Sequence, residues 1–475
     1  MRRVSRLAVA ATALLCAFTI GAGVTVTRLL PARLALWRPA RIVALPLTTS
    51  GQVLGTVTGA SSVAPGVTMS GLTRALSPVL GSGDLGSDFG MLVTDLETGQ
   101  VLYSQNASTG FAPASTTKLA TAVAALHVLG PSARFHTTVV TGTRPDRIIL
   151  VGGGDPTLAA GPAPAGDYPQ PATLQELAKS TAAVLRERGV ASVHLGYDTS
   201  LYTGPGLAVG WPARYVTEGD VSAITSLEVD QGRLTTAGKP EDADDPGNYR
   251  PRSTDPAGQA AGAFAAFLRA DGIVVKGAPA TAKAPAGATT LASVSSPPLS
   301  QVIQWMLEES NNVIAENVAR HVALALGDPA SFTGAASAEE KVLASLGVSG
   351  ISLNDGSGLS PDDRITPAAL VQVVGLAARQ PQLRSALTGL PVYGFSGTLA
   401  PGAANPFWGG GGPALGTVRA KTGNLSNVIA LTGIAAARDG QLLSFAVMAG
   451  NLPGLNAAGA GLAGIANTLA GCGCR

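Results

Sequence analysis

Cysteine is nearly absent from the 475 residues: Cys16 sits in an apolar run, and Cys472 and Cys474 close the chain. A disulfide framework and a four-cysteine zinc site are thereby excluded. Two cysteines one residue apart meet each other or a metal only with strain, so the terminal pair has no expected role. Histidine is as scarce. His127, His136, His194 and His321 are scattered and no His-Glu-x-x-His occurs, which argues against a zinc peptidase. An excess of charge of one sign is also missing. The 32 basic and 30 acidic residues leave a formal charge of +2, which offers no electrostatic footprint for nucleic acid. Aromatic residues make up only 4% of the chain while glycines number 60, so Ala, Val and Leu carry the apolar content.

What is present begins with a basic start, Met1-Arg2-Arg3-Val4-Ser5-Arg6, followed by an uncharged run from Leu7 to Thr27. That is the layout of an export signal, and the run is also long enough to span a bilayer. Residues 1–28 are therefore expected to be a signal peptide or a membrane anchor. Either places the rest of the chain outside the cytoplasmic membrane, secreted or tethered to it. Residues 29–71, rich in Pro, Gly, Thr and Val without a sustained period, read as a flexible linker.

The remaining length suits two or three compact units. Phe89–Leu96 and Gln100–Ser104 flank Glu97-Thr98-Gly99 and predict a hairpin. Ser115 to Leu129 reads as a helix stopped by Gly130-Pro131. Residues 143–295 alternate short apolar runs with Pro- and Gly-rich turns and read as an inserted region of mixed strand and helix. Near the end, Val428–Gly433 and Leu442–Met448 predict antiparallel strands, with an Ala/Gly-rich helix after Pro453.

Three short motifs stand in order: Ser115-Thr116-Thr117-Lys118, Ser310-Asn311-Asn312 and Lys421-Thr422-Gly423. A serine hydroxyl is a weak nucleophile until a base takes its proton, and a helix sets residues i and i+3 on one face. Ser115 and Lys118 have that spacing. Lys118 acts as a base only if its ammonium is disfavoured, by burial or by a neighbouring cation such as Lys421. Ser310-Asn311-Asn312 offers a hydroxyl to relay a proton and an amide to hold both lysine and substrate. Lys421-Thr422-Gly423 falls on a predicted strand, where its lysine and threonine suit a carboxylate and its glycine lets a peptide lie along the edge. Singly, each motif has a plain reading as a helix cap, a turn and a surface strand; their joint occurrence in order is what points to serine acyl transfer.

The interval from Ser115 to Ser310 is much longer than that from Ser310 to Lys421. With this insertion the chain resembles the low-molecular-mass class C penicillin-binding proteins, serine-type D-Ala-D-Ala carboxypeptidases and DD-endopeptidases. Gly152-Gly153-Gly154-Asp155-Pro156-Thr157-Leu158, Asp355-Gly356-Ser357-Gly358-Leu359-Ser360, Ser396-Gly397-Thr398-Leu399 and the region around Trp211-Pro212 are similar to that family's pattern.

The resemblance implies an α+β multidomain fold. A β-lactamase/transpeptidase-like domain, an antiparallel sheet covered by helices, spans 72–142 and 296–475, with the inserted mixed domain at 143–295. It implies Ser115 as acylated nucleophile, Lys118 as base, Ser310 as proton relay and Asn312 as holder of the substrate amide. Lys421, Thr422 and Gly423 would receive the terminal carboxylate, and the backbone N–H groups of Ser115 and Asn424 would form the oxyanion hole. Asp155 matches a family acid and Arg364 is the nearest match to a family arginine, the two suiting a zwitterionic diaminopimelate side chain. The implied partners are peptidoglycan stem peptides and, as inhibitors, β-lactams; no cofactor is required. The alternatives are a β-lactamase or esterase of the same fold, against which speaks the lack of a Glu-x-x-x-Asn segment of that family's kind between the second and third motifs, and an idle wall-binding scaffold.

Overall fold

The computed structural model describes residues 66–475 apart from 164, 165, 167, 236–248, 403, 404 and 408. The expected export segment, and the expected linker as far as residue 65, lie outside the described residues. The last of the linker residues do not behave as a tether. Thr68 caps helix α1 (Met69–Gly81), its hydroxyl accepting from Gly71 N, because a threonine before an amphipathic run satisfies an otherwise orphaned helix N–H. Along the chain follow strands β1 (Asp88–Asp95) and β2 (Val101–Gln105), a 3₁₀ turn at Ala114–Thr116, helix α2 (Thr117–Leu129), strands β3 (His136–Thr141) and β4 (Arg147–Val151), helix α3 (Leu174–Glu187) and strand β5 (Ser192–Asp198). Next come helices α4 (Arg214–Glu218) and α5 (Pro256–Ala270), then strands β6 (Val274–Val275), β7 (Ala280–Thr281) and β8 (Thr290–Ser295). Helices α6 (Leu299–Glu308), α7 (Asn312–Leu326) and α8 (Phe332–Ser345) precede the short pair β9 (Ile351–Ser352) and β10 (Arg364–Ile365). Helices α9 (Pro367–Arg379) and α10 (Ser385–Thr388), strands β11 (Val418–Leu425), β12 (Val428–Ala436) and β13 (Leu442–Gly450), and helix α11 (Leu455–Gly471) complete the order.

Five strands form an antiparallel sheet in the order β11-β12-β13-β1-β2. Both of its faces are covered, which is why its strands read as continuous apolar runs and not as alternating ones. Phe445 and Val447 of β13 enter one core with Leu72 of α1 and Leu462, Ile465 and Leu469 of α11. Ala446 and Met448, on the other face by the two-residue period of a strand, enter a second core with Leu119 and Val123 of α2, Ile303 of α6, Ile314 and Val318 of α7 and Leu370 of α9. The expected sheet covered by helices is thus the one observed.

The stretch between the first two motifs builds its own six-stranded sheet, β6-β5-β4-β3-β8 with β7 paired to β5. Here β4–β5 and β5–β6 are parallel while β3 runs antiparallel to both β4 and β8. A parallel step needs a crossover. Helix α3 supplies it between β4 and β5, with α5 beside it, burying Leu177, Leu185, Phe264 and Leu268 against Val139, Leu150 and Val193.

The terminal cysteines, given no role in the sequence, are disulfide-bonded to each other with their Cα atoms 4.9 Å apart. Their carbonyls are also used: Cys474 O accepts from Thr68 N (2.8 Å) and Cys472 O from Arg438 N (3.1 Å), tying the chain's end to the start of α1 and the turn after β12. Among the described residues no helix is long and apolar enough to cross a membrane.

Candidate active site

Ser115 stands in the 3₁₀ turn that leads into α2. The residue before it, Ala114, has φ 47°, a left-handed conformation that L side chains rarely adopt and that elsewhere marks functional sites. Helix α2 is buried from Thr117 to Leu126, so the residue one turn after Ser115 is carried into the core. Lys118 is 0% exposed.

Its Nζ lies 2.8 Å from Ser115 Oγ, 2.6 Å from Asn312 Oδ1 and 2.8 Å from the Ser357 carbonyl. Burial pushes the Lys118 ammonium down to about 7, against the opposing attraction of Asp355 and Glu316. Two of its three neighbours, a side-chain amide oxygen and a backbone carbonyl, can only accept hydrogen bonds. A neutral amine therefore spends both hydrogens on them and turns its lone pair to the Ser115 hydroxyl. The pair has the contact that a serine nucleophile and its base require.

Asn312 is the first residue of α7, and Asn311 caps that helix by accepting from Ile314 N (3.0 Å). The sharp entry puts Ser310 at φ 55°. Ser310 is half-buried beside this cap but is not among the three partners of Lys118, whereas Asn312 is.

Strand β11 carries the third motif along the edge of the sheet. Gly423 has no Cβ because one built there would lie 2.6 Å from Pro113 O and 3.3 Å from Ala114 Cβ, so the strand passes directly over the segment leading to Ser115. Ala420 N donates off the outer edge to Pro391 O. By the strand period, the N–H of Asn424 points off the same edge, where Asn424 itself is exposed. Thr422 Oγ1 donates to Thr398 Oγ1 (2.7 Å), joining this motif to Ser396-Gly397-Thr398. Lys421 is fully buried and its Nζ donates to Thr422 O (2.9 Å). Burial, then the charge of Lys118, holds it well below the ordinary lysine range.

Asp155 and Arg364 make no hydrogen bond to Ser115, Lys118 or Asn312 among the described residues. Asp155 accepts from Thr157 N (2.9 Å) and Thr157 Oγ1 (2.6 Å), closing its own turn, and burial raises its carboxyl to about 6. Arg364 is exposed, with Nη1 donating to Pro361 O and Asp363 O (both 2.7 Å).

Residues with no role expected from the three motifs stand behind Lys118. Asp355, 0% exposed, accepts at Oδ1 from Gly358 N (2.6 Å) and Ser357 N (3.2 Å), and at Oδ2 from Ser360 N (2.7 Å) and Trp211 Nε1 (2.8 Å). Glu316 Oε1 accepts from Gly356 N (3.1 Å) and Ser357 N (2.9 Å), while its Oε2 pairs with Arg320 at 3.2 Å. These two carboxylates wind the loop that offers the Ser357 carbonyl to Lys118. Gly358, at φ +81° against the Ala114 backbone, completes the bend.

This chain matches the family described as "D-Ala-D-Ala carboxypeptidase 3 (S13) family" over residues 72–250 and 233–469. It is 39% identical over 394 residues to Carboxypeptidase DacB of Mycolicibacterium smegmatis, covering 82% of each chain. To the D-alanyl-D-alanine carboxypeptidase of Actinomadura sp. (strain R39) it is 29% identical over 487 residues, covering 85% of each. Among solved structures it resembles penicillin binding protein 4 of Haemophilus influenzae, with a TM-score of 0.64 and 23% identity over 82% of this chain and 94% of that one. The same protein complexed with a β-lactam gives 0.57 and 22% over the same shares.

Proposed function

The chain belongs to the D-Ala-D-Ala carboxypeptidase 3 (S13) family, and on that premise we propose that Ser115 is the acylated nucleophile of its D-Ala-D-Ala carboxypeptidase activity, with Lys118 as base. The observation that carries the assignment is the buried Lys118 nitrogen in contact with Ser115 Oγ and with two obligate acceptors.

The Ser115 oxygen attacks the carbonyl carbon between two D-alanines as its proton passes to Lys118 Nζ. Negative charge builds on the carbonyl oxygen, where the Ser115 and Asn424 N–H groups receive it; such donors, fixed in advance, are a large share of acyl-transfer catalysis. The C–N bond then breaks. The leaving D-alanine nitrogen takes the proton from Lys118 by way of the Ser310 hydroxyl, leaving an ester on Ser115. Water, deprotonated by the same base, attacks that ester and restores the serine. Lys421 and Thr422 bind the terminal carboxylate, whose negative charge also relieves the mutual repulsion of Lys421 and Lys118. Asn312 holds the substrate amide as well as the base. Cleavage of a cross-bridge amide follows the same steps, giving endopeptidase activity.

A β-lactam offers its acyl carbon to the same serine and forms a comparable ester, so β-lactams are inhibitors of this chain as well as ligands of its H. influenzae neighbour. The enzyme acts on peptidoglycan stem peptides outside the cytoplasmic membrane. Residues 1–28 direct it there as a signal or anchor, and the Cys472–Cys474 disulfide suits an oxidising compartment.

Release of D-alanine from a stem pentapeptide tests this reading. Wild-type protein is expected to liberate the terminal residue and Ser115→Ala to liberate none; equal release by both would overturn the assignment.

A further inference from the structure

The two carbonyls that orient Lys118 are both braced by one stretch of chain, Gly206–Ile224, which lies between the first and second motifs. Asn312 Nδ2 donates to Asp220 O (2.9 Å), which fixes which way the amide faces and turns its oxygen to Lys118. On the other side Trp211 Nε1 donates to Asp355 Oδ2 (2.8 Å), and Asp355 in turn gathers the N–H groups around Ser357. The brace is itself fixed. Ile224 N donates to Gly206 O (2.8 Å), and Trp211, Val221 and Ile224 pack with Val313, Phe332 and Leu359. The Trp211 ring meets Phe332 edge-on at 5.0 Å.

We propose that Trp211 is a positioning residue for serine acylation: through Asp355 it holds the Ser357 carbonyl which, with Asn312, aims the Lys118 lone pair at Ser115. The proposal rests on the reading of Ser115 and Lys118 as nucleophile and base. It gives the segment between the motifs a role in the chemistry that its distance in sequence does not suggest.

Lys118 is faced by Lys421 from β11, Glu316 from α7 and Asp355 from the loop after β9; Asp355 and Glu316 are faced in turn by Asp363, by Glu339 of α8 and by Arg320. The indole N–H offsets part of the Asp355 charge. Without it the carboxylate draws Lys118 towards its ammonium form, so less base is present at neutral pH and the acid limb of the rate profile moves to higher pH.

The test compares wild type, Trp211→Phe and a protein carrying the benzothiophene isostere of tryptophan at position 211, which keeps the ring's shape and lacks the N–H. Ile224→Ala serves as the packing control, since it loosens the cluster around the Trp211 ring and leaves the N–H in place. Acylation by a fluorescent penicillin and D-alanine release from a stem peptide are followed from pH 5 to 9. Both position-211 variants are expected to acylate roughly tenfold more slowly, the scale of one hydrogen bond to a charged group, with the acid limb raised and the peptide KM unchanged. Ile224→Ala is expected to lose thermal stability without moving the limb. A folded isostere variant with wild-type rate and limb would overturn the proposal, as would an equal shift in Ile224→Ala. A folded wild type that neither acylates nor releases D-alanine would instead remove the underlying nucleophile reading, and the proposal with it.

Discussion

Lys118 Nζ and Ser115 Oγ stand 2.8 Å apart at the head of α2, with the lysine wholly withdrawn from solvent. Burial disfavours an ammonium, and the same fold supplies the acceptors that a neutral amine needs. A lysine fixed in its charged form should therefore fail as base. Lys118→Arg, which stays protonated at any working pH, is expected to acylate about 10³-fold more slowly than wild type, within the span general-base catalysis covers. Stopped-flow penicillin acylation measures it.

The pH dependence has a definite sign. Below about 7 Lys118 carries its proton and cannot accept another; above it the amine is free. The acylation rate is expected to rise with pH, with its midpoint near 7, and to fall about tenfold per unit below that. A rate independent of pH between 5 and 8 would contradict a lysine base.

Gly358 is held at φ +81°, and a Cβ there would strike the Ala114 carbonyl and come within 2.8 Å of Thr117 Oγ1. Gly358→Ala is expected to cost more than the roughly 1–3 kcal/mol of a strained left-handed residue alone, because the Ala114 backbone must also move, and to slow acylation because Ala114 leads directly to Ser115. Denaturant melts beside acylation rates check both.

Glu228 is buried and its carboxyl is pushed from 4.5 up to about 8, chiefly by burial, with Ser222 and Asn317 hydrogen bonds opposing. The fold thus keeps a proton that the unfolded chain releases. This contribution is complete below about 4.5 and is lost as pH rises through about 8. Glu228→Gln keeps the shape without the titration. Between pH 5 and 9 the melting temperature of the variant is expected to gain on that of wild type; parallel curves would contradict the assignment.

The parts of the site legible in the sequence were those whose geometry is local. Ser115 and Lys118 meet because a helix turn brings i and i+3 together, and Lys421-Thr422-Gly423 lies on a strand because apolar runs flank it. Asp355 had a weaker signal. An aspartate before Gly-Ser-Gly announces a turn, but its service to Lys118 depends on Trp211, 144 positions earlier. Glu316 and Arg320 were visible as charges within the apolar run of α7, where a buried pair is the expected explanation, although nothing local ties Glu316 to the Ser357 loop. Asp155 shows the reverse case. Its two readings, substrate acid and turn cap, differ only in what surrounds it, and in the fold both donors on its carboxylate come from Thr157. Arg364 follows Gly358-Leu359-Ser360 at a distance set by Pro361, and its guanidinium is engaged by its own loop.

Intact-mass analysis of the chain after exposure to a β-lactam, followed by peptide mapping, reports whether the acyl-enzyme forms on Ser115. One adduct per chain is expected, on the peptide holding Ser115 to Lys118, and absent from Ser115→Ala. An adduct that maps to another residue, or none on folded wild-type protein, would rule out Ser115 as the nucleophile.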